Sequence, residues 1–186
     1  MLPTSLEILD CTEGWVDAAL PTPTNTTPFA NLRVARLARC SSAIRVLDNI
    51  LRSESATLTY LDLDLNTDVT SHLSWGLFLH GLRSGALLEL TFLRIWSAML
   101  CDEHVDVLVE QCQKLETVEL SSPNITGVFI VGLLTTPQSR VERLSLRDCT
   151  NVSPDTYNWA KQRGIAIERT TSEAYGGSGR RVHALD

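Results

Sequence analysis

Leu115-Glu116-Thr117-Val118-Glu119-Leu120 and Val141-Glu142-Arg143-Leu144-Ser145-Leu146 share aliphatic residues at the first, fourth and sixth places. Alternate residues of an extended strand face opposite sides. The fourth and sixth places therefore point together into a core, and the third, fifth and seventh point away from it. Toward the N-terminus, Leu90, Leu93 and Ile95 make another copy, Leu58, Leu61 and Leu63 the next, and Leu32, Ala35 and Leu37 a further one. Pro3, Leu6 and Ile8 fit the same frame more loosely. The starts fall near 3, 32, 58, 90, 115 and 141. Near-regular recurrence on this scale marks stacked supersecondary units. One match arises easily by chance; a linked series does not.

At a near-constant step beyond four of the starts, Val69-Thr70, Leu100-Cys101, Ile125-Thr126 and Val152-Ser153 set an aliphatic residue before a small polar one. Thr and Ser in such a slot accept from the orphan N–H groups of the helix that follows, and Pro154 suits a first helical position. The spacing predicts helices over 43–52, 71–83, 102–113, 127–135 and 155–163. Leu73, Leu77 and Phe78, like Val105, Leu108 and Val109, give their helices an inward stripe. Strand, turn and helix per unit define an α/β fold. The spacing resembles that of leucine-rich repeats and predicts a ribonuclease-inhibitor-like solenoid, with a parallel β-sheet on the concave face and helices on the convex face. No unit buries its apolar side alone, so neighbours share one core.

The repeat domain takes residues 1–168, about six repeats, with a last short strand at 165–167. Residues 169–186 carry Gly176-Gly177-Ser178-Gly179 and no apolar pattern, and read as a disordered tail. The stretch from Pro21 to Pro28 reads as a loop inserted in the first unit. Terminal units of a solenoid need polar caps, and here the stack begins almost at Met1. That predicts weak order before Leu32, self-association, or both.

With 186 residues and 44% hydrophobic content, the chain can bury one sizeable core. A formal net charge of -6, with no basic stripe interleaved with aromatics, argues against nucleic acid and anionic membrane as partners. Apolar runs such as Val128 to Leu134 are too short to span a bilayer. Glu7, Asp10, Glu13 and Asp17 stand where a secretory signal would be basic and then apolar. These features predict an intracellular protein, cytoplasmic or nuclear. Its five cysteines are then free thiols, and the sequons at Asn25, Asn124 and Asn151 are coincidences of sequence.

Cys40 and Cys149 at the ninth place, Gln111-Cys112-Gln113-Lys114-Leu115 at a helix end, and the Ile125-Thr126 step resemble the cysteine-containing subclass of leucine-rich repeats. The chain looks like the C-terminal repeat region of a fungal F-box protein, over residues 3–168. The resemblance implies a protein-binding module serving substrate recognition in an SCF-type ubiquitin ligase pathway. The alternative it implies is a non-ligase regulatory scaffold of the mitotic-exit-regulator type. Leu2-Pro3 echoes the opening of an F-box, but the first repeat occupies the same residues. Contact with ligase components would then need an F-box N-terminal to this chain.

Catalytic signatures are missing from the sequence. His72, His80, His104 and His183 stand in no nucleophile motif, and the tail glycines have no strand or helix to frame a phosphate loop. Cys101, His104 and Cys112 make the one metal-like grouping, one ligand short of a closed zinc site. The reading is therefore a non-enzyme with no cofactor.

Function falls to the outward places of the strands. At the fifth place Glu7, Arg36, Asp62, Arg94 and Glu119 alternate in sign before Ser145. Stacked about 4.8 Å apart, they predict a lateral ladder of ion pairs. Exposed pairs contribute at most about 1 kcal/mol each and mainly secure register. Tyr60 and Phe92 hold the third place of adjacent units, and Trp96 the seventh beside Phe92. Large aromatics in open places contact a ligand or lie under a flanking segment. Arg143 and Arg147, with Arg36 and Arg39, would supply a polar rim. The candidate protein-binding set is Tyr60, Asp62, Phe92, Arg94, Trp96, Glu119, Arg143 and Arg147.

Overall fold

The computed structural model describes residues 6–11, 29, 31–38, 43–51, 57–65, 71–85 and 87–170. Seven strands form one parallel sheet in sequential order: β1 Ile8–Asp10, β2 Val34–Leu37, β3 Tyr60–Asp64, β4 Phe92–Trp96, β5 Thr117–Ser121, β6 Arg143–Arg147 and β7 Ala166–Thr170. A parallel pair cannot close through a tight hairpin, so each crossover needs a longer element. From β2 onward the crossovers carry α1 Ala43–Leu51, α2 Ser71–Arg83, α3 Val105–Gln111, α4 Gly127–Thr135 and α5 Pro154–Gln162. Right-handed crossovers deliver successive helices to the same face of a sheet. Here α1 packs on α2, α2 on α3, α3 on α4 and α4 on α5.

The core sits between the helix row and the sheet. Leu61, Leu93, Val118 and Leu144 at the fourth place are in register across adjacent strands and fully buried, as are Leu63, Ile95, Leu120 and Leu146 at the sixth. Burying one such side chain is worth about 1.5–3 kcal/mol, and each row is continuous, so every strand supplies a wall for its neighbour. Phe29, Phe78 and Phe129 belong to the same buried core.

The turns repeat as well. The eighth-place N–H of Leu65, Ser97 and Asp148 donates to the seventh-place carbonyl of the next strand, at Trp96, Ser121 and Thr170. Ser97 and Ser122 are fully buried, and their Oγ atoms accept from Met99 N–H and Asn124 N–H, both at 3.1 Å. Asp148 holds the same place directly after β6 with φ 52°, a left-handed conformation that Asp tolerates. Asn124 and Asn151 donate their Nδ2 at 2.6 Å to the carbonyls of Ala98 and Pro123, each in the preceding unit. Thr126 and Ser153 then cap α4 and α5 through Val128 N–H and Thr156 N–H. The Asn124-Ile125-Thr126 and Asn151-Val152-Ser153 triplets are thus a structural step: a ladder amide, a buried aliphatic, a cap. Chance is not needed to explain them.

Several expectations are corrected. The N-terminal strand takes its frame from Leu6, not from Pro3: Ile8, Leu9 and Asp10 pair with Val34, Ala35 and Arg36. That frame moves Cys11 from the ninth place to a buried core place and turns Ile8 outward, 58% exposed. The loose fit of Pro3 was the warning, since stepping back from Leu32 by the interval between Leu32 and Leu58 lands on Leu6. Helix α3 begins with a 3-10 turn at Asp102–His104 and ends at Gln111, short of the expected boundary at 113. Strand β7 runs to Thr170, past the expected boundary at 168, because Arg147 and Thr170 remain paired. The Val69-Thr70 slot, the Pro21–Pro28 loop, Arg39, Cys40 and the tail from residue 171 lie outside the described residues.

Candidate functional site

The described helices pack along one side of the sheet, and the third, fifth and seventh places make up the other face. All eight expected residues stand on it, and the structure brings all of them except Arg143 into direct contact with another of the set. Tyr60 and Phe92 stack face to face, with ring centroids 4.1 Å apart and planes 3° from parallel. Their register across β3 and β4 imposes this: a strand spacing of about 4.8 Å suits two rings standing upright side by side. Arg36 lies 5.3 Å from the Tyr60 ring and Arg94 lies 5.9 Å from that of Phe92. Arg147 reaches past Ser121, whose side chain is short, to sit 4.5 Å over the Trp96 ring. Arg143 is exposed and has no ion-pair partner among the described residues.

The fifth-place ladder forms, with one exchange: Asp10, not Glu7, faces Arg36 at 3.2 Å. At its centre Arg94 bridges Asp62 at 2.8 Å and Glu119 at 2.6 Å. The sequence predicts exposed pairs, and the Arg36–Asp10 pair is one. Asp62 is different. Its side chain is only 6% exposed, and its Oδ1 has no hydrogen-bond partner. Burial raises the Asp62 pKa above its ordinary value, against the opposing pull of Arg94. With Arg36 and Arg94 in register on either side of Asp62, the middle of the ladder is drier than alternation alone implies.

Sequence reasoning passed over Ile8 and Val34. In register they extend the third-place row to Ile8, Val34, Tyr60, Phe92, Thr117, Arg143 and Ala166. The signal was available: Ile8, Val34 and Tyr60 recur at equal intervals, but the frame beginning at Pro3 assigns Ile8 to the core.

The Cys101, His104 and Cys112 grouping does not converge. Cys101 Sγ lies 3.2 Å from His104 Nδ1, and Trp75 Nε1 donates to His104 Nε2 at 3.4 Å. Burial lowers the His104 pKa, and a protonated ring would oppose one N–H to the indole N–H. Cys112 is buried at the end of α3 and its thiol is pushed up to about 12. No group of three or more His, Cys, Asp or Glu gathers to hold a metal among the described residues. No helix among them is long and apolar enough to cross a membrane.

These features define an α/β protein with a seven-stranded parallel sheet, helices along one face, and a row of aromatic and charged side chains along the other. The chain matches no protein-family model, and comparison with curated protein sequences returns no match.

Proposed function

We propose that this chain is a leucine-rich-repeat interaction module that grips a protein partner on its open sheet face, and that it serves substrate recognition of the SCF ubiquitin-ligase kind. The repeat reading is supported by the recurrence of one register, one core row and one turn from strand to strand. The binding reading rests on a single observation. Tyr60, Phe92 and Trp96 are half-buried on the face away from the helices, stacked or capped by arginines. Aromatics and arginine dominate binding hot spots, and rigid rings cost little entropy to present. The ligase assignment rests on the resemblance alone.

Affinity capture with mass spectrometry on wild type and on the Tyr60→Ala, Phe92→Ala, Trp96→Ala triple variant tests the site. Partners retained by wild type should be lost together from the variant while its far-UV circular dichroism is unchanged. Equal capture by both dismisses the face as a binding site. Co-purification of wild type with the ligase's linker subunit tests the pathway; its absence from the full-length gene product removes the ligase role.

A further inference from the structure

The third-place row changes character along its length. Ile8, Val34, Tyr60 and Phe92 form an apolar run over β1 to β4, with Ile8 58% exposed. Thr117 follows on β5, and then Arg143 on β6, exposed and without an ion-pair partner among the described residues. The fifth-place row beside it is different, because Asp10 with Arg36, and Asp62 and Glu119 with Arg94, largely satisfy one another. Arg147 is likewise committed, to the Trp96 ring and to Asp148 at 3.5 Å. Glu168 on β7 pairs in register with Ser145, not with Arg143, and no ion pair joins the two side chains. Among the described residues, Arg143 is therefore the cation on this face left for an incoming group.

We propose, resting on the binding role of this face, that the third-place row is a polarised track for an extended segment of a partner protein. Apolar side chains of the segment lie over Ile8, Val34, Tyr60 and Phe92, and an acidic side chain then meets Arg143. The geometry sets the spacing. Phe92 and Arg143 are two strands apart, about 10 Å at roughly 4.8 Å per strand. An extended segment advances about 3.3 Å per residue, and alternate side chains face the track. The acidic residue therefore falls roughly two to four residues beyond the apolar one on Phe92, within the reach of a flexible arginine. The segment runs across the strands and borrows no backbone hydrogen bonds from the sheet, so its direction is fixed by this apolar-to-cationic gradient.

The test pans short random peptides displayed on phage against the full chain, and measures recovered peptides by fluorescence anisotropy. Peptides with alternating apolar residues followed by Asp or Glu at the stated distance should be enriched. Arg143→Glu should weaken them about tenfold, and exchanging their acidic residue for Lys should restore binding to that variant. Phe92→Ala should weaken acidic and neutral peptides alike. Enriched peptides that depend on Phe92 but show no acidic preference and ignore Arg143→Glu overturn the polarised track and leave the open face as a binding surface. Recovery of only peptides indifferent to both Phe92→Ala and Arg143→Glu overturns the track and counts against the face itself.

Discussion

Arg94→Ala removes the cation at the centre of the ladder and leaves Asp62 behind, with a side chain 6% exposed. Deleting one partner of a buried pair costs about 3–5 kcal/mol, because the other charge stays desolvated. Arg94 is itself 31% exposed, so water relieves part of that, and about 2–3 kcal/mol is the expected share from Asp62. The Glu119 arm is more open and adds at most about 1 kcal/mol. A total of about 3 kcal/mol corresponds to about 6–12 °C in Tm for a chain of this size. Urea denaturation followed by far-UV circular dichroism measures it, with equal m-values as the condition for comparison. The pH dependence has a definite sign. Because the folded Asp62 pKa is raised, this group favours the fold when protonated and loses that contribution as pH rises through its folded pKa. Removing Arg94 raises that pKa further, so the variant's deficit should be full at neutral pH and shrink as the solution is acidified and Asp62 becomes neutral. Asp62→Asn should act as acid does, and the double variant should recover at least about 1.5 kcal/mol relative to additivity. A deficit of under about 0.5 kcal/mol, or one equally large on the Asp62→Asn background, would refute the account of a dry, arginine-dependent carboxylate.

Two further outcomes follow from the helix side. Ser153→Ala removes the Oγ that accepts from Thr156 N–H at the start of α5, and should lower stability by about 1 kcal/mol in the same urea assay; no change would mean that Pro154 alone fixes the helix start. Among the described thiols, partly exposed Cys101 should react first with a soluble disulfide reagent, while buried Cys112, pushed up to about 12, and buried Cys149 should wait for unfolding. Reaction of Cys112 in the native protein at the same rate as Cys101 would contradict the packing at the end of α3.

The buried aliphatic places of the strands were legible in the sequence because their cause is local and periodic. Period-two facing within each strand and a recurring interval between strands are both written along the chain, so Leu61, Leu93, Val118 and Leu144 announce a shared core row. Helix starts at Thr126 and Ser153 were legible for the same reason: a cap is chosen by its own backbone. The aromatic and ionic residues of the open face were also found, since place within the repeat assigns them to one side. The first unit shows where the reading fails. Pro3 and Leu6 are rival starts, and only pairing with Val34 and Arg36 decides between them.

What tertiary structure alone decided is the environment of each outward side chain. Sequence placed Asp62 in a series of exposed ion pairs, yet its side chain is nearly dry while that of Asp10 is half in water. That contrast depends on which guanidinium groups reach each carboxylate, and those come from neighbouring strands 26 and 32 residues away along the chain. Periodicity fixes which way a side chain points, because pointing is a property of its own backbone. Solvent exposure, pairing and the continuity of the row from Ile8 to Arg143 are properties of neighbours, and neighbours exist only once the strands have stacked.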